Sequence, residues 1–290
     1  MRNSALHRAK FPDPASPRAA MKIFDVHTHV FPDAVAARAI EHMRDLSHGL
    51  PAWSDGTAAG LEAHALRAGY RGWMNCPVVT NARQMVSVNR WCAKLNRWPH
   101  LSLGGIYPHA PMADILAEIE FISGSGLHGV KFHPEYQQFS PLEPALEPMW
   151  RSLADHHLPV LFHAGADIGF PAPKQHSYPG DFARLAQSYP ELTIVCAHLG
   201  GWRNWRLVED ELCGAPVYLD TSFSKPWMAD RQQFERIIRK HGVNRVLFGT
   251  DSPWHKLTEG IQEILDTAFS EEEKQCILYG NAARLFRLPE

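Results

Sequence analysis

The chain has 290 residues, 45% of them hydrophobic and 21% charged, with a formal net charge of −2. That balance suits an ordinary globular protein, and it argues against a nucleic-acid or membrane-surface partner because neither sign of charge dominates or clusters. The five cysteines (Cys76, Cys92, Cys196, Cys213 and Cys276) are dispersed and form no Cys-x-x-Cys pair, which argues against a disulfide framework and a thiolate zinc site and points to a reducing cytoplasm.

Residues 1–20, "MRNSALHRAKFPDPASPRAA", contain basic residues and three prolines but no apolar core of a secretory signal. They read as a disordered tail, with Met21 as a candidate natural start and 21–290 as one domain. No apolar run reaches the roughly 18 residues of a membrane span.

Eight short apolar runs then follow in order: "KIFDVHTHV" from Lys22, "GWMNCPVV" from Gly72, "LSLGGIYP" from Leu101, "LHGVKFHP" from Leu127, "LPVLFHAG" from Leu158, "LTIVCAHLG" from Leu192, "PVYLDTS" from Pro216 and "NRVLFGTDSPW" from Asn244. Each is bounded by Gly, Pro, Asn or His, as strands are. Helical patterns lie between them. "ARQMVSVNRWCAKLNR" spaces Met85, Val88, Trp91, Cys92 and Leu95 at three and four, and "MADILAEIEFIS" does the same with Ile115, Leu116, Ile119 and Ile122. "ALEPMWRSLADHH", "FARLAQSYP" and "DRQQFERIIRKHG" precede the fifth, sixth and eighth runs, and "TEGIQEILDTAF" and "EEEKQCILYGNAARLF" close the chain. Strand and helix alternating to eight predict an α/β fold of the distorted TIM (β/α)8 barrel type in a single domain, at a length close to the roughly 250 residues usual for it. A doubly wound open sheet is the second choice, weakened by the lack of a Gly-x-Gly-x-x-Gly after the first run. Two segments read as irregular, around Ser47 to Gly72 and from Ala164 to Asp181. The second is a candidate substrate loop.

Histidine is the outlier of the composition, with 17 residues, and its placement carries the chemistry. Alternation along the first run puts Asp25, His27 and His29 on one face and Phe24, Val26 and Val30 on the other. Lys131 and His133 end the fourth run, His163 the fifth, His198 the sixth and Asp251 the eighth. Leaving such groups buried and unpaired costs several kcal/mol each, on the order of 2–7 for a neutral polar group. Catalytic residues of these barrels come from the C-terminal strand ends. Three imidazoles and one carboxylate from such a set suit Zn²⁺ or a similar cation with water completing the shell.

The segments "DVHTHVFP", "GVKFHPEYQ", "LFHAG", "VCAHLGGW", "YLDTS", "LFGTDSPW" and "YGNAARLF", in this order, resemble the amidohydrolase superfamily. They are most similar to amidohydrolase family 2, the branch that includes aminocarboxymuconate-semialdehyde decarboxylase and related hydrolases. The resemblance runs from about Met21 to Phe286. It implies that His27, His29, His163 and Asp251 bind a divalent metal, most readily Zn²⁺. It implies that Asp251 also shuttles a proton, and that His198 activates water or substrate or binds a second ion. One ion is preferred and two are the alternative. Lys131, His133 and His198 are the residues for a second metal or for substrate. For Lys131 a contact to a substrate carboxylate is preferred over a carboxylated, metal-bridging lysine.

Weaker candidates line the loops: Glu135, Tyr136 and Gln137 after the fourth run, Asp167, Lys174 and His176 after the fifth, and Trp202, Arg203 and Trp254 beyond the sixth and eighth. Asp220 at the end of the seventh is a candidate to orient a ligand histidine. The expected activity is metal-dependent hydrolysis of an amide, lactone or related bond in a small molecule. Non-oxidative decarboxylation of a small unsaturated or aromatic acid is the rival, and a catalytically silent metal-binding barrel is the reading from another class. The substrate is the one partner expected, with no nucleic acid or membrane and with a homodimer left open.

Overall fold

The computed structural model describes residues 21–170 and 175–289. The tail expected over residues 1–20, and Lys174, lie outside the described residues.

The strands are β1 (Phe24–Thr28), β2 (Gly72–Asn75), β3 (His100–Ser102), β4 (Gly104–Gly105), β5 (Val130–Phe132), β6 (Val160–Phe162), β7 (Ile194–Cys196), β8 (Tyr218–Asp220) and β9 (Val246–Leu247). They pair in parallel as β1-β2-β3 and β4-β5-β6-β7-β8-β9. Backbone hydrogen bonds join the two sheets at both seams. On one side Leu103 N–H donates to Asn75 O (3.0 Å) and His128 N–H to Ser102 O (3.0 Å). On the other, Val26 N–H donates to Phe248 O (2.9 Å) and Asp251 N–H to His27 O (2.8 Å). The single third run of the sequence is thus two strands, β3 and β4, flanking Leu103. The close approach of side chains there demands the glycines, since a Cβ on Gly104 would sit 2.6 Å from Ile122 Cδ1 and one on Gly105 2.5 Å from Val79 Cγ2.

The longer helices are α1 (Asp33–Leu46), α2 (Ala58–Arg67), α3 (Ala82–Leu95), α4 (Met112–Gly124), α6 (Glu147–Asp155), α7 (Pro179–Ser188), α9 (Gln232–His241) and α10 (Leu257–Leu265). Shorter ones are α5 (Pro134–Gln137), α8 (Trp205–Leu207), α11 (Glu271–Gln275) and α12 (Asn281–Phe286). Strong amphipathy explains α9, where Phe234, Ile237 and Ile238 are buried at the spacing of one face. The segment Ser47 to Gly72, expected to be irregular, contains α2. Thr57 caps it by accepting from Gly60 N–H, and only Leu61 and Ala65 are buried on it. An alanine-rich helix that buries two side chains leaves little periodic signal to read.

The strands are buried on both faces, as parallel strands covered by helices are. Val160 and Phe162 pack outward with Phe182 and Trp150, while Leu161 joins an inner cluster with Val195 and Leu247. Phe24 and Val26 belong to that inner cluster, which corrects the alternation expected of β1. Its register shifts between Asp25 and Thr28, so His27 turns to the axis although Val26 beside it also packs inward. Asp25 is left to tie β1 to the chain beyond β9, accepting from His27 N–H (3.0 Å) and Thr250 Oγ1 (2.6 Å).

Candidate metal centre

The strand ends bring their polar groups to one rim, and hydrogen bonds to the outer nitrogens decide how the imidazoles point. His27 Nδ1–H donates to Asp220 Oδ2 at the end of β8 (2.9 Å). His29 Nδ1–H donates to the Cys76 carbonyl beyond β2 (2.7 Å). Carboxylate and carbonyl oxygens only accept, so each Nδ1 carries a proton and each Nε2 faces inward. His29 Nε2 lies 2.9 Å and His27 Nε2 3.5 Å from Asp251 Oδ1. The ligand atoms of His27, His29 and Asp251 all fall within 4.8 Å of one another. Two inward-facing imidazole nitrogens and a carboxylate, oriented by Asp220 and a backbone carbonyl, fit a divalent cation.

The electrostatics agree. Burial, with the Lys131 ammonium adding to it, pushes His27 down to about 4, so its ring is neutral near pH 7. Burial opposes ionisation of Asp220, but contacts with His27, His198 and Ser222 outweigh it and bring the carboxyl down to about 2. Burial opposes Asp251 as well, yet the imidazoles of His27, His29 and His198 hold it well below the usual carboxylate range. Lys131 Nζ stands 3.1 Å from His27 Nε2, and burial pushes its ammonium down.

His133, His163 and Asp167 form a neighbouring group, also within 4.8 Å. Here the rings of His133 and His163 stack with centroids 4.0 Å apart and planes 11° from parallel. An imidazole binds a cation in its own ring plane, so two parallel planes do not converge on one ion. The stack keeps His133 and His163 from both holding one ion, and His133 Nε2 lies 3.4 Å from Asp167 Oδ2.

His198 links the two groups. Its ring lies 5.3 Å from that of His27 and 4.6 Å from that of His163. Its Nδ1–H donates to the Ser222 carbonyl (3.1 Å), and its Nε2 contacts His163 Nδ1 (2.9 Å). His163 Nε2–H donates to the Ala166 carbonyl (3.0 Å), so Nδ1 is its acceptor nitrogen. These partners make His198 Nε2 the donor toward His163.

A cavity of about 810 Å³ opens above these donors. Phe31, Trp91, Tyr136, Trp202, Phe223 and Trp254 line it, together with His27, His29, Lys131, His133, His163, Asp167, His198 and Asp251. Two loop candidates sit elsewhere. Glu135 is buried under the loop and accepts from His176 N–H (2.8 Å), with burial raising it to about 7. Arg203 is outside the cavity lining, its guanidinium 4.3 Å over the Trp202 ring. Gln137 is structural, donating to the Val79 and Ile106 carbonyls (2.7 Å each). Sequence reading missed Ser222, whose hydroxyl donates to Asp220 Oδ1 and lies 3.0 Å from His27 Nδ1. Its position two residues after Asp220 in "YLDTS" was the available signal. Arg38 and His42, on α1, also line the cavity and were missed because that helix was not recognised.

A sequence model described as amidohydrolase matches residues 24–288. The chain belongs to the amidohydrolase family. No curated protein matches this amidohydrolase, but solved structures do. It is similar to a 5-carboxyvanillate decarboxylase from Novosphingobium aromaticivorans complexed with manganese and 4-hydroxy-3-methoxy-5-nitrobenzoic acid (14% identity, 94% of this chain and 98% of that one, TM-score 0.70). It is similar to a 2,6-dihydroxybenzoate decarboxylase complexed with 2,6-dihydroxybenzoate (16% identity, 92% and 100%, TM-score 0.67). It is also similar to a probable 2-pyrone-4,6-dicarboxylic acid hydrolase from Acinetobacter baumannii with citric acid bound (16% identity, 92% and 100%, TM-score 0.63). At such identities these likenesses establish the barrel fold of the amidohydrolase. Among its described residues no helix is long and apolar enough to cross a membrane.

Proposed function

We propose that this amidohydrolase is a metal-dependent, non-oxidative decarboxylase of small aromatic or unsaturated acids. The supporting observation is the cavity, whose donors are gathered at the strand ends while six aromatic side chains line its walls. Flat unsaturated rings pack well against such walls, and a few placed polar groups orient them. Sequence reading put hydrolysis first. The aromatic walls reverse that order, and similarity to two decarboxylases of hydroxylated aromatic acids supports the reversal. Hydrolysis of a lactone-like bond is the second reading, favoured by similarity to the pyrone hydrolase.

His27, His29 and Asp251 would hold the cation, with His163 next to them. When bound, a Zn²⁺ or Mn²⁺ ion supplies Lewis-acid polarisation of substrate oxygens. The chain's own groups do the rest. Lys131, at the floor, meets a substrate oxygen as a cation. His198 supplies a proton from Nε2. The bond from ring carbon to carboxylate breaks, CO₂ leaves, the electron pair stays on the carbon, and the His198 proton caps it. Unpaired thiols at Cys76, Cys92, Cys196, Cys213 and Cys276 support a reducing, cytoplasmic setting.

Turnover of carboxylated hydroxybenzoates and of pyrone dicarboxylates in ¹⁸O-labelled water tests this. The expected result is CO₂ release with no ¹⁸O in the organic product. His198→Gln should keep the bound ion and lose about 10²–10⁴-fold in rate. Incorporation of ¹⁸O without CO₂ would replace decarboxylation by hydrolysis.

A further inference from the structure

We infer that the substrate carries a second anionic group, remote from the one at the strand ends, and that Arg38 selects it. This rests on the proposed small-acid chemistry and names its substrate class, an unsaturated or aromatic diacid.

The outer wall of the cavity includes two helices. Val35, Arg38, Ala39 and His42 of α1 recur at three and four residues and so share one face, and all line the cavity. Gln84, Ser87 and Trp91 of α3 line it as well, at the same spacing. Arg38 and Lys131 are the two Lys or Arg side chains among the described lining residues. Lys131 is buried beside His27 Nε2, whereas Arg38 is exposed on α1. The lining carboxylates, Asp167 and Asp251, belong to the donor groups.

Arg38 makes no hydrogen bond or ion pair among the described residues, although Asp33, Glu41 and Asp45 share its helix. Its charge is therefore available to the cavity. Gln84 and Ser87 are not free in the same way. Gln84 Oε1 accepts from Thr80 N–H and hydroxyl (3.0 Å each), and Ser87 Oγ donates to Gln84 O. His42, one turn beyond Arg38, adds a second donor on the same face.

The cavity thus offers cationic character at two places, the strand-end floor and α1, with apolar and aromatic wall around them. A planar molecule with a carboxylate at each end satisfies both, and a guanidinium accepts such a carboxylate through two parallel hydrogen bonds. A monoacid leaves Arg38 facing only water.

The test compares 5-carboxyvanillate with vanillate, which lacks one carboxylate. Binding to manganese-loaded protein is followed by quenching of tryptophan fluorescence, and CO₂ is measured in parallel. The diacid should bind about tenfold tighter or more. Arg38→Met should abolish that preference, and Arg44→Met, on the same helix but outside the cavity lining, should keep it. Rising salt should narrow it, because Arg38 is exposed. Equal affinity of the two acids, including no binding of either, overturns the inference, as does a preference that survives Arg38→Met. Preference without CO₂ release removes the proposed reaction and leaves the role of Arg38. CO₂ release without preference does the reverse.

Discussion

His27 shows how one side chain is given a direction. Its Nδ1–H is taken by Asp220 at 2.9 Å, its backbone N–H by Asp25 at 3.0 Å, and only Nε2 is left for the cavity. Removing the carboxylate charge of Asp220 while keeping its shape should loosen that choice. Asp220→Asn leaves a side-chain amide that both donates and accepts, so the His27 tautomer is no longer fixed. The expected outcome is a 10- to 100-fold loss of metal affinity with the fold retained, measured by competition with a chelator and by circular dichroism. Unchanged affinity would mean that Asp220 does not orient the ligand. At this scale the sequence was most informative. His27, His29, Lys131, His133, His163, His198 and Asp251 each end an apolar run, and a buried polar group in that place needs a partner. The resemblance grouped His27, His29 and Asp251 as the structure does, but the company His163 keeps with His133 and Asp167 was not legible. The stack of His133 on His163 depends on ring rotations that spacing does not encode.

Elements position these residues through a few close backbone approaches. Gly165, just past β6, has φ +91°, and a Cβ there would lie 2.4 Å from Trp202 N. Around it Trp202 N–H donates to Ala164 O (2.8 Å) and Ala166 N–H to Trp202 O (3.1 Å). This pairing holds the chain after His163 against the chain after His198. Gly165→Ala adds a left-handed conformation, about 1–2 kcal/mol, to a steric conflict worth about 1–3 kcal/mol. A loss of about 2–5 kcal/mol in urea unfolding, with activity falling because His163 shifts, is expected. A variant as stable and active as the parent would contradict this account of the loop. The sequence marked the glycine in "LFHAG" but not its need, which arises from Trp202, 37 residues away in "AHLGGW". The shift in β1 was hidden for a similar reason. Alternation is a local rule, and a register change is settled by the neighbouring strands.

At the scale of the whole molecule, one arrangement unites distant segments. The β1 and β9 ends of the chain meet through hydrogen bonds from Val26 to Phe248 and from Asp251 to His27. Closure places residue 251 beside residues 27 and 29. The alternating order of runs was enough to expect a barrel, because parallel strands need helical crossovers. The seam at Leu103 was not visible, nor were α1, which buries only Ala36, and α2, which buries only Leu61 and Ala65, because so few buried side chains leave little periodic signal. On the proposed function the ring gathers donors for one cation, and anomalous diffraction from crystals grown with Mn²⁺ tests this most directly. The account predicts one strong peak coordinated by His27, His29 and Asp251. No peak at that trio, or a peak held instead by His133 and Asp167, would contradict it.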